Sequence, residues 1–563
     1  MIKVVYKPQD MRYIFMQSDS AEQKELKQLE SYLNKIPQYM FLPSFRGIPK
    51  PEVFLNKFKS KTGNIIYWCH SGLIDVIKTW CSENNIIIEG INNELKLREI
   101  EMSFEEFCNL VNSWQLSIKP RDYQYIAAYN ILCNRQSLSQ LATRAGKTLI
   151  AYLVFRYMLE IGGAKKILMI VPSIQLVKQG VADFSEYAEF FKSETVWAKS
   201  ELCASANLTI GTFQSLVQRA DPKSKKYNPN FFKDYDIVCC DEAHHLICKS
   251  INTILGQNFM KNVKLKFGFT GTLPQENTIE SFCCHSLMGW TIQDISAMEL
   301  VDEGFLANPN ITQIRINYED NQSLTNAYIY CGEYLNSNDN IVDGKKVLLD
   351  KEYRDFTIKN KKTLPFALKQ VKQLYEPIEY REYLIDLCKA NGSNLLMLEQ
   401  MLVHRSKKRL DVIDDILLGI NKNCIVFAHH TEYLKFLKEH FELKFPDKIV
   451  RIIEGSASLK KRQKIIDEMN NNDGVILCAS YGCCSTGITF KNVDYCIFAQ
   501  SFKSEIINLQ SIGRCMLRTK DKTEFYVYDI VDIFPTKRIY MQGVSKIKTY
   551  KKQGFNYTIK EIN

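Results

Sequence analysis

The chain has 563 residues, of which 45% are hydrophobic and 24% are charged. This length exceeds what one hydrophobic core organises and predicts three or four domains of roughly 150 residues each, and the composition excludes a fibrous or intrinsically disordered chain. The formal net charge of +10 favours an anionic partner, and because no apolar run approaches the roughly 18 residues of a membrane span or resembles a secretion signal, we expect a cytoplasmic protein without membrane contact.

Residues 1–112 predict a small α+β accessory domain with a basic, aromatic centre. The stretch FRGIPKPEVFLNKFKSK, residues 45–61, holds five basic residues and three phenylalanines against one acid. Basic side chains bind phosphates and aromatic rings stack on bases, so this composition suits nucleic acid. The alternative is a solvated basic face over a few core aromatics, in a region that only supports the next domain. The candidate nucleic-acid contacts are Arg46, Lys57, Lys59 and Lys61.

Residues 113–305 repeat a short apolar run, a polar turn and a helical pattern. Apolar runs that are continuous rather than alternating indicate parallel strands covered on both faces, so we predict a parallel-sheet α/β domain. The predicted strands lie within residues 166–173, 207–213, 235–245 and 264–272.

The stretch LATRAGKTL, residues 141–149, is a candidate phosphate-binding loop. A tight turn that leads into a helix points backbone N–H groups and the helix N-terminus at one anion, and the apolar spacing after this turn is helical. We expect Lys147 to reach the β- and γ-phosphates of a nucleotide and the Thr148 hydroxyl to bind Mg²⁺. Leu141 stands where the strict pattern has Gly or Ala, so the alternative is a basic turn that caps an ordinary helix. The predicted loop residues are Thr143, Arg144, Ala145, Gly146, Lys147 and Thr148.

Three further polar groups would complete a nucleotide site. Asp241 and Glu242 directly follow the run YDIVCC, where one carboxylate can hold Mg²⁺ and the other can polarise an attacking water. Gln124, in PRDYQ, carries an amide whose donor and acceptor together fit the adenine edge. A lone D-E-A-H sequence is also a common polar strand end, so its meaning depends on the loop upstream.

A second series of continuous apolar runs predicts a second parallel-sheet domain over residues 306–540. Within it, residues from about 316 to 363 contain too few apolar positions for a core and are interpreted as an insertion. Residues 541–563 are interpreted as a basic C-terminal tail. The predicted strands lie within residues 423–430, 448–455, 474–482, 493–500 and 524–531.

The stretch QSIGRCMLR, residues 510–518, offers cationic groups in this second domain. Phosphoryl transfer requires positive charge at the γ-phosphate as negative charge develops there. Arg514 and Arg518 are four residues apart, and we therefore expect them on one face of one helix.

The chain resembles the superfamily 2 helicases over residues 115–540, and within that superfamily most closely the phage recombination and branch-migration helicases. The likeness rests on ASYGCCSTGITFKN, on LQSIGR with the trailing YVYDIVD, and on VPSIQLVKQ with IGTFQS; YMFLPSFRG and IIYWCHSGLIDVIKTWC extend it to the accessory region. The resemblance implies two tandem RecA-like domains that bind ATP in the cleft between them. It implies Gln510, Arg514 and Arg518 at the γ-phosphate and Gly487 at the nucleotide.

For the nucleic-acid backbone, the resemblance implies a further set of residues. These are Pro172, Ser173, Thr212, Gln214, Ser485 and Thr486. Arg518 falls one residue later than the family's second arginine, so it is either a second arginine finger or a structural or strand-facing residue. Thr489 stands where many relatives have Asp.

The resemblance implies an ATP- and Mg²⁺-dependent DNA helicase or translocase with 3′ to 5′ polarity. Its expected partners are branched DNA, single-stranded to double-stranded junctions and RNA–DNA hybrids, in recombination, replication and repair. The expected state is a monomer, in the host-cell cytoplasm for a phage protein. The alternatives are an RNA helicase, a double-strand translocase with the same motor, and a non-catalytic nucleic-acid-binding protein on a degenerate motor fold.

Overall fold

The computed structural model divides the chain into two compact units, Met1–Ser296 and Ala297–Asn563, called unit 1 and unit 2 below. The residues that the structure describes are 1–7, 10–18, 23–37, 40, 50–61, 63–91, 96–98, 100, 102–196, 206–256, 258–318, 341–342, 345–346, 395–404, 406–455, 457–481, 490–533 and 538–562.

Unit 1 begins with the predicted accessory region, a five-stranded mixed sheet with two helices. The strand order is β3-β4-β2-β1-β5, and only the pair of β1 and β5 is parallel. One face of this sheet shares an apolar core with the two helices, as period-two alternation requires. The elements are β1 (Ile2–Lys7), β2 (Asp10–Ser18), α1 (Lys24–Leu33), β3 (Asn56–Lys59), β4 (Ile65–His70), α2 (Ile74–Glu83) and β5 (Ile88–Glu89).

The remainder of unit 1 alternates helices and strands. The helices are α3 (Phe104–Ser113), α4 (Asp122–Cys133), α5 (Lys147–Glu160), α6 (Ile174–Tyr187), α7 (Phe213–Ala220), α8 (Lys249–Leu255) and α9 (Ile279–Met288). The strands are β6 (Gln136–Leu141), β7 (Ile167–Val171), β8 (Ser193–Val196), β9 (Leu208–Thr212), β10 (Ile237–Cys240), β11 (Leu265–Thr270) and β12 (Trp290–Ile295).

These seven strands form one parallel sheet in the order β12-β6-β11-β10-β7-β9-β8. Four of them, β7, β9, β10 and β11, coincide with the apolar runs, so the predicted parallel α/β domain is confirmed. Strand β6 escaped prediction because its sequence QSLSQL is mostly polar, although Ser137 and Ser139 are buried. A strand inside a sheet can carry small polar side chains when the apolar side chains of the neighbouring strands fill the core.

The accessory region packs directly on α9 and β12. Phe282 of α9 and Trp290 of β12 belong to the same buried core as the accessory sheet. Gln136 Nε2 donates to Ser71 Oγ at 2.8 Å, which ties β6 to the turn after β4. A Cβ on Gly72 would lie 1.9 Å from the carbonyl oxygen of His285, so only glycine permits this approach. The accessory region is therefore part of unit 1 rather than a tethered module.

Unit 2 holds a second α/β arrangement. Its helices are α10 (Ala297–Asp302), α11 (Leu395–His404), α12 (Lys407–Leu418), α13 (Thr431–Lys444), α14 (Leu459–Asn471), α15 (Glu505–Cys515) and α16 (Arg538–Lys552). Its strands are β13 (Asn308–Asn317), β14 (Ile341–Val342), β15 (Lys345–Lys346), β16 (Cys424–Ala428), β17 (Val450–Ile453), β18 (Ile476–Ser480), β19 (Tyr495–Phe498), β20 (Glu524–Ile533) and β21 (Asn556–Ile562).

Seven of these strands form a parallel sheet in the order β17-β18-β16-β19-β20-β13-β21, while β14 and β15 form a hairpin. Strands β16 to β20 coincide with the second predicted series, which confirms a second parallel-sheet domain. Of the predicted insertion, residues 319–340, 343–344 and 347–363 lie outside the described residues.

The segment interpreted as a basic tail contributes most of α16 and all of β21. Strand β21 pairs with β13 at the edge of the sheet. Helix α16 is fixed by an ion pair in which Lys546 Nζ lies 2.5 Å from Asp529 Oδ1 on β20, with both side chains fully buried. Among the described residues, none of the helices combines the length and apolar character that a bilayer span requires.

Candidate functional site

The predicted phosphate loop connects β6 to α5 and turns sharply at Gly146. Gly146 has a φ of 78°, so a side chain there would be strained, and a Cβ would lie 2.1 Å from Gln124 Nε2 and displace that amide. Leu149 and Ile150 donate their amides to the Gly146 carbonyl, and the amides that precede them open the helix without intrahelical acceptors. The loop therefore presents the N-terminus of a fourteen-residue helix to an anion, as predicted from the sequence.

Gln124 braces this loop from α4. Its Nε2 donates to the Ala145 carbonyl at 3.0 Å, and its Oε1 accepts from the backbone amide of Arg121 at 2.9 Å. One amide hydrogen and one oxygen lone pair are left by these two bonds, enough for an adenine edge. Tyr123 was missed by the sequence reasoning, although PRDYQ contains it. Its hydroxyl donates to the same Ala145 carbonyl at 2.8 Å.

The two carboxylates of the D-E-A-H sequence follow β10 and face the loop lysine. Lys147 Nζ lies 4.0 Å from Glu242 Oε1, and Asp241 Oδ1 accepts the Glu242 amide at 3.0 Å. Removal from water and the neighbouring Glu242 raise the pKa of Asp241 to about 6, while the charge of Lys147 opposes this shift. Glu242 has a φ of 53°, a left-handed conformation that is uncommon for a residue other than glycine. Lys147, Asp241 and Glu242 are therefore brought together as predicted.

A hydrogen-bond chain links the D-E-A-H sequence to the T-G-T sequence after β11. Thr270 Oγ1 donates to the Thr272 carbonyl at 2.9 Å, so it accepts from His244 Nδ1, which lies 3.1 Å away. The same His244 nitrogen is 3.4 Å from Glu242 Oε2. Thr270 at the end of β11 is thus connected to Glu242 through His244.

The residues predicted to face nucleic acid lie further along the same carboxyl edge of the sheet. Pro172 and Ser173 follow β7, and Thr212 and Gln214 end β9 and begin α7. The order of strands thus separates a nucleotide side, at β6, β11 and β10, from a second side at β7 and β9. Gln214 is exposed, whereas Ser173 caps α6 by accepting the Leu176 amide and Thr212 Oγ1 donates to Ser215.

In unit 2, Gln510 and Arg514 lie on α15 and Arg518 does not. The helix ends at Cys515, and Leu517 forms an isolated antiparallel bridge with Leu306. The expectation that Arg514 and Arg518 share one helix face is therefore wrong, because this bridge draws the chain out of the helix. Arg514 is half-buried in the last turn, Gln510 is buried, and Arg518 is exposed.

The remaining predicted contacts divide into described and undescribed residues. Ser485, Thr486, Gly487 and Thr489 in unit 2, and Arg46 in the accessory region, lie outside the described residues. Lys57, Lys59 and Lys61 are exposed, and Lys57 Nζ forms an ion pair with Glu30 Oε2 of α1 at 2.9 Å. Lys57 and Lys59 alternate with Phe58 along β3, so the lysines and this ring point to opposite faces of the sheet.

The donor set in unit 1 fits a hard divalent cation bound together with phosphate. Asp241 supplies a carboxylate and Thr148 a hydroxyl, and Mg²⁺ takes oxygen ligands while retaining waters and phosphate oxygens. Within the described ranges, His, Cys, Asp and Glu form no group of three or more that could hold a metal ion by itself. The site is therefore suited to Mg²⁺ delivered with a nucleotide.

Two protein-family models match the chain. Residues 117–275 match the type III restriction enzyme, res subunit, and residues 408–517 match the helicase conserved C-terminal domain. The first match spans the loop and the D-E-A-H sequence, and the second spans α15 as far as Leu517.

Known proteins with similar sequence or structure include a phage helicase. The ATP-dependent DNA helicase UvsW of Enterobacteria phage T4 is 25% identical over 520 residues, which cover 87% of this chain and 88% of UvsW. A crystal structure of T4 UvsW is 22% identical, with a TM-score of 0.43 over 100% of this chain and 99% of that chain. The ATP-dependent Type ISP restriction-modification enzyme LlaBIII bound to DNA is 14% identical, with a TM-score of 0.52 over 87% of this chain and 34% of LlaBIII, a likeness of fold alone.

Proposed function

We propose that this superfamily 2 helicase, which is close to UvsW, couples ATP hydrolysis in unit 1 to movement along DNA and to the separation or branch migration of its strands. The observation that carries the proposal is the convergence of Lys147, Asp241 and Glu242. Lys147 follows β6 at the start of α5, and Asp241 and Glu242 follow β10. The three side chains meet beside the N-terminus of α5.

Each side chain of unit 1 has a distinct chemical task in this proposal. The loop amides and Lys147 hold the phosphates, and Gln124 fixes the loop while offering its remaining donor and acceptor to the base. Asp241 and Thr148 would hold Mg²⁺, which would neutralise charge on the phosphates. Glu242 accepts a proton from the attacking water, and His244 and Thr270 restrain its carboxylate.

Unit 2 supplies cations in this proposal. Arg514, half-buried in the last turn of α15, stabilises the γ-phosphate as charge develops, with Gln510 one turn earlier on the same helix. Arg518 is exposed beyond the helix and can serve either as a second cation or as a strand contact. Gly487 would contact the nucleotide, and Ser485 and Thr486 would contact the strand.

The track of the motor is proposed to be DNA, and branched DNA in particular. The support is the named activity of UvsW, an ATP-dependent DNA helicase that matches most of this chain. Forks, junctions, D-loops and R-loops, 3′ to 5′ polarity and roles in recombination, replication and repair belong to the same proposal. The strand contacts would be Pro172, Ser173, Thr212 and Gln214 beside the nucleotide site, with Arg46, Lys57, Lys59 and Lys61 in the accessory region.

The test is a comparison of ATP hydrolysis with no polynucleotide and with single-stranded DNA, linear duplex, forked DNA and RNA. We expect stimulation by DNA and the strongest stimulation by the fork. If RNA stimulates ATP hydrolysis and none of the DNA substrates does, the protein is an RNA helicase or RNA translocase. Absence of ATP hydrolysis under every condition would leave only the non-catalytic binding role and would contradict the proposal.

A further inference from the structure

The accessory sheet has a second face that its own core does not use. Its buried face contributes Ile2, Val4, Ile14, Met16, Tyr67 and Cys69 to the core with α1 and α2. The residues between them point the other way, because side chains alternate along a strand. We call this opposite surface the outer sheet face. Its members are Lys3, Val5 and Lys7 of β1, Tyr13, Phe15 and Gln17 of β2, Asn56 and Phe58 of β3, and Ile66, Trp68 and His70 of β4.

Large apolar side chains on the outer sheet face remain in contact with solvent. Val5 is 61% exposed and Phe58 is 44% exposed, and Tyr13, Phe15, Ile66 and Trp68 are half-buried. None of these side chains belongs to the described core cluster of the accessory region. Four aromatic rings at the surface of one small sheet are unusual for a face that only needs to be soluble, because apolar patches of this kind mark binding surfaces.

The register places these residues side by side across the strands. Val5 pairs with Phe15, Phe15 pairs with Trp68, and Trp68 pairs with Asn56, so one row crosses β1, β2, β4 and β3. With strands about 4.8 Å apart, this row extends for roughly 14 Å across the sheet. The Tyr13 and Trp68 rings form a T-shaped pair with centroids 5.2 Å apart and an interplanar angle of 88°. Phe58 pairs with Ile66 one step further along the strands.

Positive charge accompanies the rings. Lys7 Nζ lies 5.4 Å from the centroid of the Phe15 ring, and the exposed Lys3 sits opposite Gln17 on the next strand. Two acids lie near these cations. Asp10 is bound by Arg12, whose Nε and Nη2 donate to its two carboxylate oxygens at 2.7 and 2.9 Å, and Glu89 lies opposite Lys3 on β5. Lys3 and Lys7 therefore lie beside the aromatic rows, and each is next to an acidic residue on the neighbouring strand.

We infer that the outer sheet face binds single-stranded DNA by stacking unpaired bases on Phe15, Trp68 and Phe58, with Lys3 and Lys7 beside the phosphates. Bases offer flat π-faces of any sequence to aromatic side chains, and the backbone supplies the negative charge that the lysines match. Duplex DNA offers stacked bases whose faces are already covered, so it cannot use a row of rings. The inference rests on the proposed function only in its choice of a nucleic-acid partner.

This surface differs from the basic stretch on β3 that the sequence suggested. Lys57 and Lys59 project from the face that packs on α1, and Lys57 is engaged by Glu30. Phe58, between them, projects to the outer sheet face. The accessory region would then hold a strand mainly through rings and the lysines of β1.

The experiment measures binding of oligothymidylate to the full-length protein, by anisotropy of a labelled oligomer and by quenching of tryptophan fluorescence. Stacking of a base on Trp68 quenches its emission, which a merely structural role of this residue would not produce. We expect Trp68→Ala and Phe58→Ala each to weaken oligothymidylate binding by about tenfold, on the scale of one lost base stack. Trp68→Phe should retain most of the affinity and lose most of the quenching.

Ile65→Ala is the matched control, since Ile65 is an exposed apolar residue of the same strand that points to the opposite face. It should leave oligothymidylate affinity unchanged. If Trp68→Ala and Phe58→Ala both bind oligothymidylate as tightly as the unaltered protein, the inference is wrong and the face is left to a protein partner. Because binding and quenching are measured without ATP, they report on this face even if the chain hydrolyses no ATP, and loss of ATP hydrolysis alone would contradict only the proposed function.

Discussion

Lys147 Nζ lies 4.0 Å from Glu242 Oε1, across the carboxyl ends of two strands that are separated by a third, β11. In this position the ammonium group reduces the electrostatic repulsion between the two neighbouring carboxylates, Asp241 and Glu242. The same geometry leaves Glu242 beside the predicted phosphate-binding loop, which is the position that its proposed role as proton acceptor for the attacking water requires.

Replacement of Glu242 by Gln should stop ATP turnover without stopping nucleotide binding. The amide keeps the shape of the side chain and its distance from Lys147 but cannot accept the proton of the water. We expect kcat to fall by about two to four orders of magnitude, the range of general-base catalysis. Steady-state ATPase assays with fluorescent-nucleotide titrations check this, and Glu105→Gln, at an exposed position on α3, is the control. Unimpaired turnover in Glu242→Gln would remove Glu242 from its assigned role.

The two arginines of unit 2 should differ in their effects. Arg514→Ala should lower kcat about a thousandfold or more, as the loss of an arginine finger does. Arg518 is exposed beyond the end of α15, so Arg518→Ala should affect DNA-stimulated turnover less than Arg514→Ala does. Parallel ATPase assays with saturating DNA decide the matter. An equal loss in both variants would identify Arg518 as a second finger.

The site residues of unit 1 could be predicted because the carboxyl ends of parallel strands share one edge of a sheet. Lys147, Asp241 and Glu242 each follow or adjoin a strand end, and their convergence required no knowledge of strand order. The order itself, which separates the nucleotide side from β7 and β9, is a property of the folded sheet. Ser485, Thr486 and Gly487 lie outside the described residues and remain predictions.

Stability of unit 1 should depend on pH through Asp183 of α6. Burial raises the pKa of Asp183 to about 6, against an ordinary value of 3.8. The folded state therefore holds this proton more tightly, and stability falls as pH rises from about 4 through 6. Asp183→Asn should stabilise the protein at pH 7.5 by about 1 kcal/mol, a value reduced for the partial exposure of the group, and by less as pH falls towards 4.

Thermal unfolding of Asp183→Asn at pH 4.5 and pH 7.5 checks this prediction. Glu189→Gln, an exposed carboxylate in the segment just after the same helix, should shift neither midpoint. A gain in midpoint that is the same at both pH values would exclude the titration of Asp183 as its cause.

Phe282 of α9 should stabilise both the accessory region and the first parallel sheet, because its side chain packs in the core between them. Its ring is fully buried in the accessory core, with Phe54 at 5.6 Å and Tyr32 at 5.8 Å between centroids. Phe282→Ala should cost about 3 to 5 kcal/mol, the range for a buried phenylalanine. Deletion of residues 1–112 should expose Phe282 and Trp290 together and yield an aggregation-prone unit.

Thermal unfolding and gel filtration of these variants measure both effects. Ile161→Ala, at a 52% exposed position in the same unit, is the control and should be near neutral. A soluble deletion variant with unchanged thermal stability would mean that the accessory region is dispensable for unit 1.

The fold was predictable where apolar runs were continuous and was missed where they were not. The apolar composition of the sequence predicted strands β7, β9 to β11 and β16 to β20. Strand β6 was missed because its sequence is largely polar, and β21 was missed because polar and apolar residues alternate in this edge strand. Arg518 was misplaced because helical spacing continues past Cys515 in the sequence. The bridge between Leu306 and Leu517, a contact distant in sequence, ends the helix there.

A strand-displacement assay tests the central claim most directly. Forked DNA, a Holliday junction, a D-loop, a linear duplex and an RNA–DNA hybrid are each incubated with the full-length protein and ATP, and Glu242→Gln serves as the inactive control. The proposed function predicts ATP-dependent separation or branch migration that is faster on forked and junction DNA than on linear duplex and is absent in Glu242→Gln. ATP hydrolysis that is stimulated by DNA but separates no strand on any of these substrates would contradict it.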